Sequence, residues 1–163
     1  MKKTLLFFLI GAAIALYGSG YFANADRLSA SESGIQQWEH EKHLIESLLK
    51  KRAVLWNQVY EDDVDMEFWI QELQQIATEP ILSSDIKTFR ELKQFPTELD
   101  KVLDLKVCHI DDIYYGRNQI TAKATVNWHM AGTESEYQEE IKYKIVLKES
   151  DHRWKLCEYT IYQ

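Results

Sequence analysis

The amino-acid sequence predicts an α+β fold in which three helices precede a four-stranded antiparallel sheet. Between residues 35 and 95, apolar side chains recur every three or four positions, which is the spacing of one helix face. From residue 105 onwards, apolar and polar side chains alternate instead, and short turn sequences interrupt the alternation. Helices and strands that occupy separate parts of a chain are typical of α+β proteins, so we expect the helices to cover one face of the sheet.

The first predicted helix begins at Ile35 and ends near Tyr60. Its apolar positions are spaced by three, four or seven residues, so they share one side: Trp38, Ile45, Leu48, Leu49, Leu55, Trp56 and Val59. Charged residues fill the opposite side. The basic run Lys50-Lys51-Arg52 is therefore interpreted as solvated surface, and so are His40 and His43, which lack a third metal ligand at helical spacing.

Two shorter helices follow. Glu61-Asp62-Asp63 offers capping oxygens for the second helix, whose apolar stripe extends towards Pro80: Phe68, Trp69, Leu73 and Ile76. Ser83-Ser84-Asp85 repeats this capping pattern and predicts the start of the third helix. Because Pro96 disfavours a helical conformation at the residue before it, we expect the third helix to end near Phe95.

Four strands are predicted after the helices. A turn at Gly116-Arg117-Asn118, a loop at Ala131-Gly132-Thr133 and a turn at Glu149-Ser150-Asp151 separate the alternating segments. The predicted strands cover residues 105–115, 120–129, 137–148 and 153–162. Short turns between consecutive strands favour a simple antiparallel meander.

The N-terminal 25 residues have the pattern of a secretory signal. Lys2 and Lys3 precede an uncharged run over residues 4–17, and the small residues Ala23-Asn24-Ala25 follow. The sequence therefore predicts export, to a periplasm or to the extracytoplasmic face of a membrane.

Two fates of this segment remain open. The helix-breaking glycines before Ala25 favour cleavage, but the uncharged stretch is also long enough to span a ~30 Å hydrocarbon core as a retained anchor. Residues 1–25 are thus a signal peptide or a membrane anchor, residues 26–34 a polar tether, and residues 35–163 one predicted α+β domain.

Charge and motif content exclude several functions. The net charge of −7 becomes −9 without Lys2 and Lys3, because residues 1–25 contain no acid. So acidic a chain is a poor match for nucleic acid or anionic lipid, and membrane contact is expected only through an uncleaved residue 1–25 segment. No zinc spacing, phosphate-binding glycine loop or nucleophile motif is present, and we expect no metal and no cofactor. A protein partner or self-association is predicted instead.

The element order and the closing hairpin resemble a known superfamily. The runs Tyr143-Lys144-Ile145-Val146-Leu147-Lys148 and Trp154-Lys155-Leu156-Cys157-Glu158-Tyr159 carry the resemblance, which extends over residues 35–163. The chain is similar to nuclear transport factor 2-like (cystatin-like) domains. This resemblance implies three N-terminal helices packed on a curved four-stranded sheet that forms a cone.

Members of this superfamily differ widely in function. They include ketosteroid isomerases, polyketide cyclases, periplasmic domains of conjugation and type IV secretion scaffolds, and many exported bacterial domains. The isomerases hold a tyrosine and acid set inside the cone, and that set is not assigned to residues here. The anchored scaffolds share an apolar N-terminal segment followed by one such domain, as in this chain.

Strand parity predicts which side chains face the interior. If Trp128 faces the helices, then Tyr143 and Glu139 share its face, and His109 and Glu158 join them on the outer two strands. A carboxylate in such a half-open pocket would have a raised pKa and could act as a general base. The alternative is that the glutamates lie at the wet end of the sheet, or that a β-bulge reverses the parity near them.

Two hypotheses about function follow. In the first, the protein is an exported, envelope-associated, non-enzymatic domain that acts through protein contacts, for example as an accessory or scaffold component of a secretion or transfer assembly. In the second, it binds a small molecule or acts as an isomerase within the cone. An interior filled by Trp128 and Trp154 favours the first hypothesis, and an enclosed pocket with a desolvated carboxylate favours the second.

Overall fold

The computed structural model describes residues 32–95 and 99–162, with side chains from Trp38 onwards. Within these residues, three helices precede four strands, and the predicted α+β architecture is confirmed. The elements are α1 (Glu32–Asn57, continued by a 3-10 turn at Gln58–Tyr60), α2 (Met66–Ile76), α3 (Ile81–Gln94), β1 (Lys101–Gly116), β2 (Gln119–Ala131), β3 (Glu136–Ser150) and β4 (Arg153–Ile161). The predicted leader lies outside the described residues. Within the described ranges, no helix is both long enough and apolar enough to cross a membrane.

The starts of α2 and α3 differ from the sequence prediction. Asp65, and not the preceding acidic run, caps α2, since its Oδ1 accepts hydrogen bonds from the backbone N–H groups of Glu67 and Phe68 at 2.9 and 3.1 Å. The third helix begins at Ile81, so the predicted cap at Asp85 was wrong. The side chain of Glu79 accepts the hydroxyl of Ser83 at 2.6 Å, which places that serine inside the first turn.

The sheet is an open antiparallel meander in the order β1-β2-β3-β4, as predicted. β2 and β3 pair without interruption from Gln119 opposite Lys148 to Ala131 opposite Glu136. β1 shifts register against β2 in three places, and β4 shifts once against β3. Each extra residue in a strand turns the following side chains to the other face.

The first helix runs alongside β1 in the opposite direction. The Asn57 side chain donates to the carbonyl of Val102 at 2.7 Å and accepts from its N–H at 3.1 Å. Further along, Glu46 accepts the backbone N–H of Val107 at 2.9 Å. Side chains of α1 therefore satisfy backbone groups of β1 that would otherwise lie open at the sheet edge.

Aromatic rings fill the space between helices and sheet. Trp69 is stacked on Phe89 with ring centroids 4.1 Å apart, and Trp56 meets both rings edge-on. On the sheet, Trp128 is 3% exposed and its ring centroid lies 6.3 Å from that of Tyr143. Trp128 is thus part of the core cluster, on the buried face of the sheet.

A buried ion pair joins two helices to the last strand. Arg52 of α1 donates two hydrogen bonds of 2.7 Å to Asp85 of α3 and one of 2.8 Å to the hydroxyl of Tyr159 of β4. Burial alone would lower the pKa of Arg52, but Asp85 and Tyr159 raise it above its ordinary value. The interpretation of Arg52 as solvated surface was therefore wrong, because the bidentate pairing lets this cation enter the core.

Candidate functional site

Among the residues that the structure describes, the first half of β3 has a strand partner on one side only. β2 pairs with β3 from Glu136 onwards, whereas the pairing with β4 begins at Tyr143, opposite Ile161. A single backbone hydrogen bond, from Tyr162 N–H to the carbonyl of Lys142 at 3.1 Å, continues beyond that point. Residues 136–142 are called the open edge of β3 below.

Backbone groups of the open edge point away from the sheet. Because the Lys142 carbonyl faces the side of β4, the N–H and C=O groups two and four residues earlier, at Glu140 and Gln138, face the same way. Among residues 32–95 and 99–162, neither has a backbone partner on that side. Such an edge is a template for another strand.

Parts of the two outer sheet edges, on β1 and β4, are covered. α1 side chains cover the first half of β1, as described above. On β4, the carbonyl of Leu156 accepts the N–H of Thr78 at 2.7 Å, and Cys157 Sγ lies 3.1 Å from the carbonyl of Glu79. The open edge of β3 lacks comparable cover within the described residues.

Three side chains of the open edge face the interior: Tyr137, Glu139 and Ile141. All are half-buried, and the tyrosine and isoleucine pack against the core. The Tyr137 hydroxyl donates to Asp100 at 2.6 Å, and burial followed by this hydrogen bond raises its pKa above the ordinary value. Glu139 lies directly opposite Trp128 and makes no hydrogen bond or ion pair with any described residue.

The structure brings together only part of the predicted pocket. Trp128, Glu139 and Tyr143 share the inner face, as strand parity predicted. His109 and Glu158 do not join them, so the predicted convergence was wrong for these two residues.

β-Bulges explain both errors. The register shift after Val107 turns His109 to the outer face, where its side chain is 57% exposed and its Nε2 lies 3.1 Å from Asp111 Oδ1. The shift between Val146 and Leu147 makes Cys157 an extra residue of β4 and turns Glu158 outwards. The alternative that a bulge reverses parity is thus correct for both residues.

The interior beside Glu139 is filled by side chains. Tyr143 is fully buried, and burial together with neighbouring Tyr159 raises its pKa. The Tyr143 hydroxyl and the Trp128 indole nitrogen have no hydrogen-bond partner among the described residues. Trp154 lies opposite Glu149, at the other end of β3 from Glu139, where it is half-buried and packs against the core.

Surface depressions lie elsewhere. One of about 410 Å³ runs along α3 past Lys87 and Arg90, and one of about 530 Å³ lies between the end of α2 and the β3–β4 turn. Neither is lined by a residue of the predicted pocket. His40 and His43 are exposed on α1, and no cluster within the described ranges is arranged to hold a metal ion.

Comparisons with known proteins establish the fold but no family. No protein-family model matches the chain, and no curated protein matches its sequence. Its structure is similar to the crystal structure of the intermembrane space region of the chloroplast protein ARC6, with a TM-score of 0.52 and 13% sequence identity. The match covers 74% of this chain and 95% of that one. At this identity, the similarity shows a shared fold only.

Proposed function

We propose that this protein is an exported, envelope-associated, non-enzymatic domain of the nuclear transport factor 2-like superfamily that acts through protein contacts. The observation that carries the proposal is the open edge of β3, an inner strand that has a strand partner on both sides over residues 143–148. The extracytoplasmic location is supported by the residue 1–25 pattern and by the similar fold of an intermembrane space region. In this proposal, the domain is an accessory or scaffold component of an assembly.

The partner contributes an extended segment that adds to the sheet. Its backbone pairs with Gln138 and Glu140, in the position that a longer β4 would occupy. Alternate side chains of the added strand face inwards beside the open edge. An apolar side chain there meets Ile141, and a lysine or arginine neutralises Glu139, which has no cation of its own among the described residues.

The small-molecule alternative requires space at the same place. An isomerase-like base at Glu139 would act on a ligand held against Trp128 and Tyr143. These two rings are packed against each other and almost fully buried, which supports a protein-contact role in preference to an enclosed ligand.

The test is site-specific photocrosslinking in the native envelope. A photoreactive residue at Ile141 should crosslink to an extended segment of one protein, which peptide mapping identifies. Glu140→Pro removes an outward N–H without touching the β2 ladder and should abolish the crosslink. Glu140→Gln is the matched control, since it removes the charge, keeps the N–H and should leave the crosslink intact.

Three outcomes would contradict strand addition: equal crosslinking in both variants, a crosslink to a helix or loop surface, or crosslinks that form only from other faces of the domain. Thermal melts of both variants check that each remains folded. A bound small molecule that protects Glu139 from carbodiimide modification, without any protein crosslink, would favour the alternative function.

A further inference from the structure

The two ends of the domain have opposite chemical character. Residues 114–119 and 148–155 form the β1–β2 and β3–β4 turns, which touch through the Glu149 N–H and the Asn118 carbonyl at 3.0 Å. We call this the hairpin end. Residues 60–67 and 131–136 lie at the other end of the sheet and are called the acidic end.

Charge is separated between the two ends. The acidic end contains seven acidic residues and no lysine or arginine. The hairpin end contains four basic residues against two acidic ones, so its local charge is positive in a chain of net charge −7. The overall charge therefore hides a basic surface at one end, and the expectation that lipid contact is confined to residues 1–25, which rests on the overall charge, does not apply to this end.

Ion pairing leaves much of this positive charge available. Lys155 is nearly buried and binds Asp151 at 3.0 Å, so these two charges offset each other. Arg117, Lys148 and Arg153 are exposed and form no ion pair with a described residue, although Arg153 donates to the neutral Gln75 at 2.9 Å. Glu149 is then the one acidic side chain of the hairpin end without an ion-pair partner in the described ranges.

Tyrosines border these cations. Tyr114 and Tyr115 are 37% and 40% exposed at the end of β1, and the Tyr114 hydroxyl donates a hydrogen bond to the Asp112 carboxylate. Tyrosine rings are enriched at the boundary between lipid and water. The exposed parts of these two rings lie at the same end of the sheet as the cations and can contact a headgroup layer.

The chain enters the domain at this same end. Two hydrogen bonds join α1 to β1: Asn57 contacts Val102, and Glu46 contacts Val107. The helix from Asn57 back to Glu46 and the strand from Val102 on to Val107 are each about 16 Å long, so the two elements run side by side in opposite directions. In this antiparallel course, the start of α1 at Glu32 comes level with the end of β1. The described chain therefore begins at the hairpin end.

We infer that the hairpin end contacts a membrane surface of anionic phospholipids. Arg117, Lys148 and Arg153 face the phosphates, and Tyr114 and Tyr115 enter the headgroup layer. The inference goes beyond strand addition and applies whether residues 1–25 are kept or removed. It also orients the proposed partner site, because residues 136–142 lie at the opposite end of β3 and their midpoint, Glu139, is roughly 35 Å from the hairpin turns.

Hydrogen exchange of the native chain, as isolated from the envelope, tests this inference. Vesicles of phosphatidylcholine with and without phosphatidylglycerol are added, or used for reconstitution if residues 1–25 are retained. Exchange should slow in residues 114–119 and 148–155 only with the anionic lipid, and high salt should reverse the effect. Exchange in residues 60–67 and 131–136 should not change.

Two triple variants with the same net charge distinguish binding through the hairpin end from a general effect of the net charge. Reversing Arg117, Lys148 and Arg153 to glutamate should weaken anionic vesicle binding on the order of a hundredfold, since each surface cation contributes about fivefold. The control reverses the exposed helical residues Lys51, Lys87 and Arg90 and should bind as the native chain does. Equal loss in both variants, protection with neutral vesicles, or protection at the acidic end would overturn the inference.

Discussion

The two halves of β3 follow the same alternation and have different environments. In residues 143–150 the inward side chains are fully buried, since β4 lies beside this half of the strand: Tyr143, Ile145 and Leu147. In the open edge, the inward side chains of the same strand are only half-buried. The difference arises from the neighbouring strand, since β4 ends where the open edge begins. One half of β3 thus belongs to the core, and the other presents an unpaired edge.

The largest expected effect lies beneath the paired half. Arg52→Met leaves Asp85 buried without its cation, and removing one partner of a buried ion pair costs about 3 to 5 kcal/mol. Denaturant melts measure the free energy of unfolding. Lys51→Met, at the adjacent exposed position, is the control and should change stability by less than about 0.5 kcal/mol.

A double variant sharpens this prediction. Arg52→Met with Asp85→Leu removes both charges and should recover much of the lost stability, because apolar side chains of similar volume can replace a buried pair. If Arg52→Met alone costs less than about 1 kcal/mol, the ion pair does not hold the helices on β4.

Two isoleucines compare the halves of β3 directly. Ile145 lies in the paired half and is fully buried, whereas Ile141 lies four residues earlier on the same face and is half-buried. Ile145→Ala should cost about 2 to 5 kcal/mol as a core truncation. Ile141→Ala should cost about 1 kcal/mol or less and should instead reduce partner crosslinking at the neighbouring Glu139. Equal destabilisation by both changes would mean that the open edge is part of the core.

The sequence predicts the halves of this sheet unequally well. Element order and the four strands follow from local spacing, and parity places Trp128, Glu139 and Tyr143 correctly because the β2–β3 register is unbroken. Parity fails for His109 and Glu158 because one extra residue enters β1 and β4 before them. Such bulges depend on long-range packing, which local alternation does not encode.

The buried ion pair illustrates a second limit of sequence-based prediction. Arg52 lies in a basic run and Asp85 in a serine-rich turn pattern, so each has a plausible surface role when considered alone. Only the packing of α1 on α3 brings them together. The sequence does contain a signal for the open edge, however. The Glu149-Ser150-Asp151 turn makes β4 pair first with the end of β3, and β4 is shorter than β3, so the beginning of β3 is left without this partner.

The smallest expected effect concerns the two cysteines, which should remain reduced even in the oxidising compartment that the proposed export implies. Cys108 is partly exposed on β1, with its Sγ 3.8 Å from Glu140 of the open edge, whereas Cys157 is buried on β4. In the meander, three strand spacings of ~4.8 Å separate β1 from β4 by about 14 Å. A disulfide needs Cα atoms within roughly 7 Å.

Thiol labelling therefore compares the surroundings of the two halves of β3, since Cys108 lies near the open edge and Cys157 lies on β4 beside the paired half. In the native chain, Cys108 should react rapidly and Cys157 slowly, because only the latter is covered, by the segment at Glu79. Under denaturing, non-reducing conditions both thiols should react. Rapid native labelling of Cys157 would show that β4 opens as readily as the unpaired edge. Complete absence of reactive thiols after denaturation would mean that β1 and β4 meet, which would overturn the meander and remove the geometric basis for an open edge on β3.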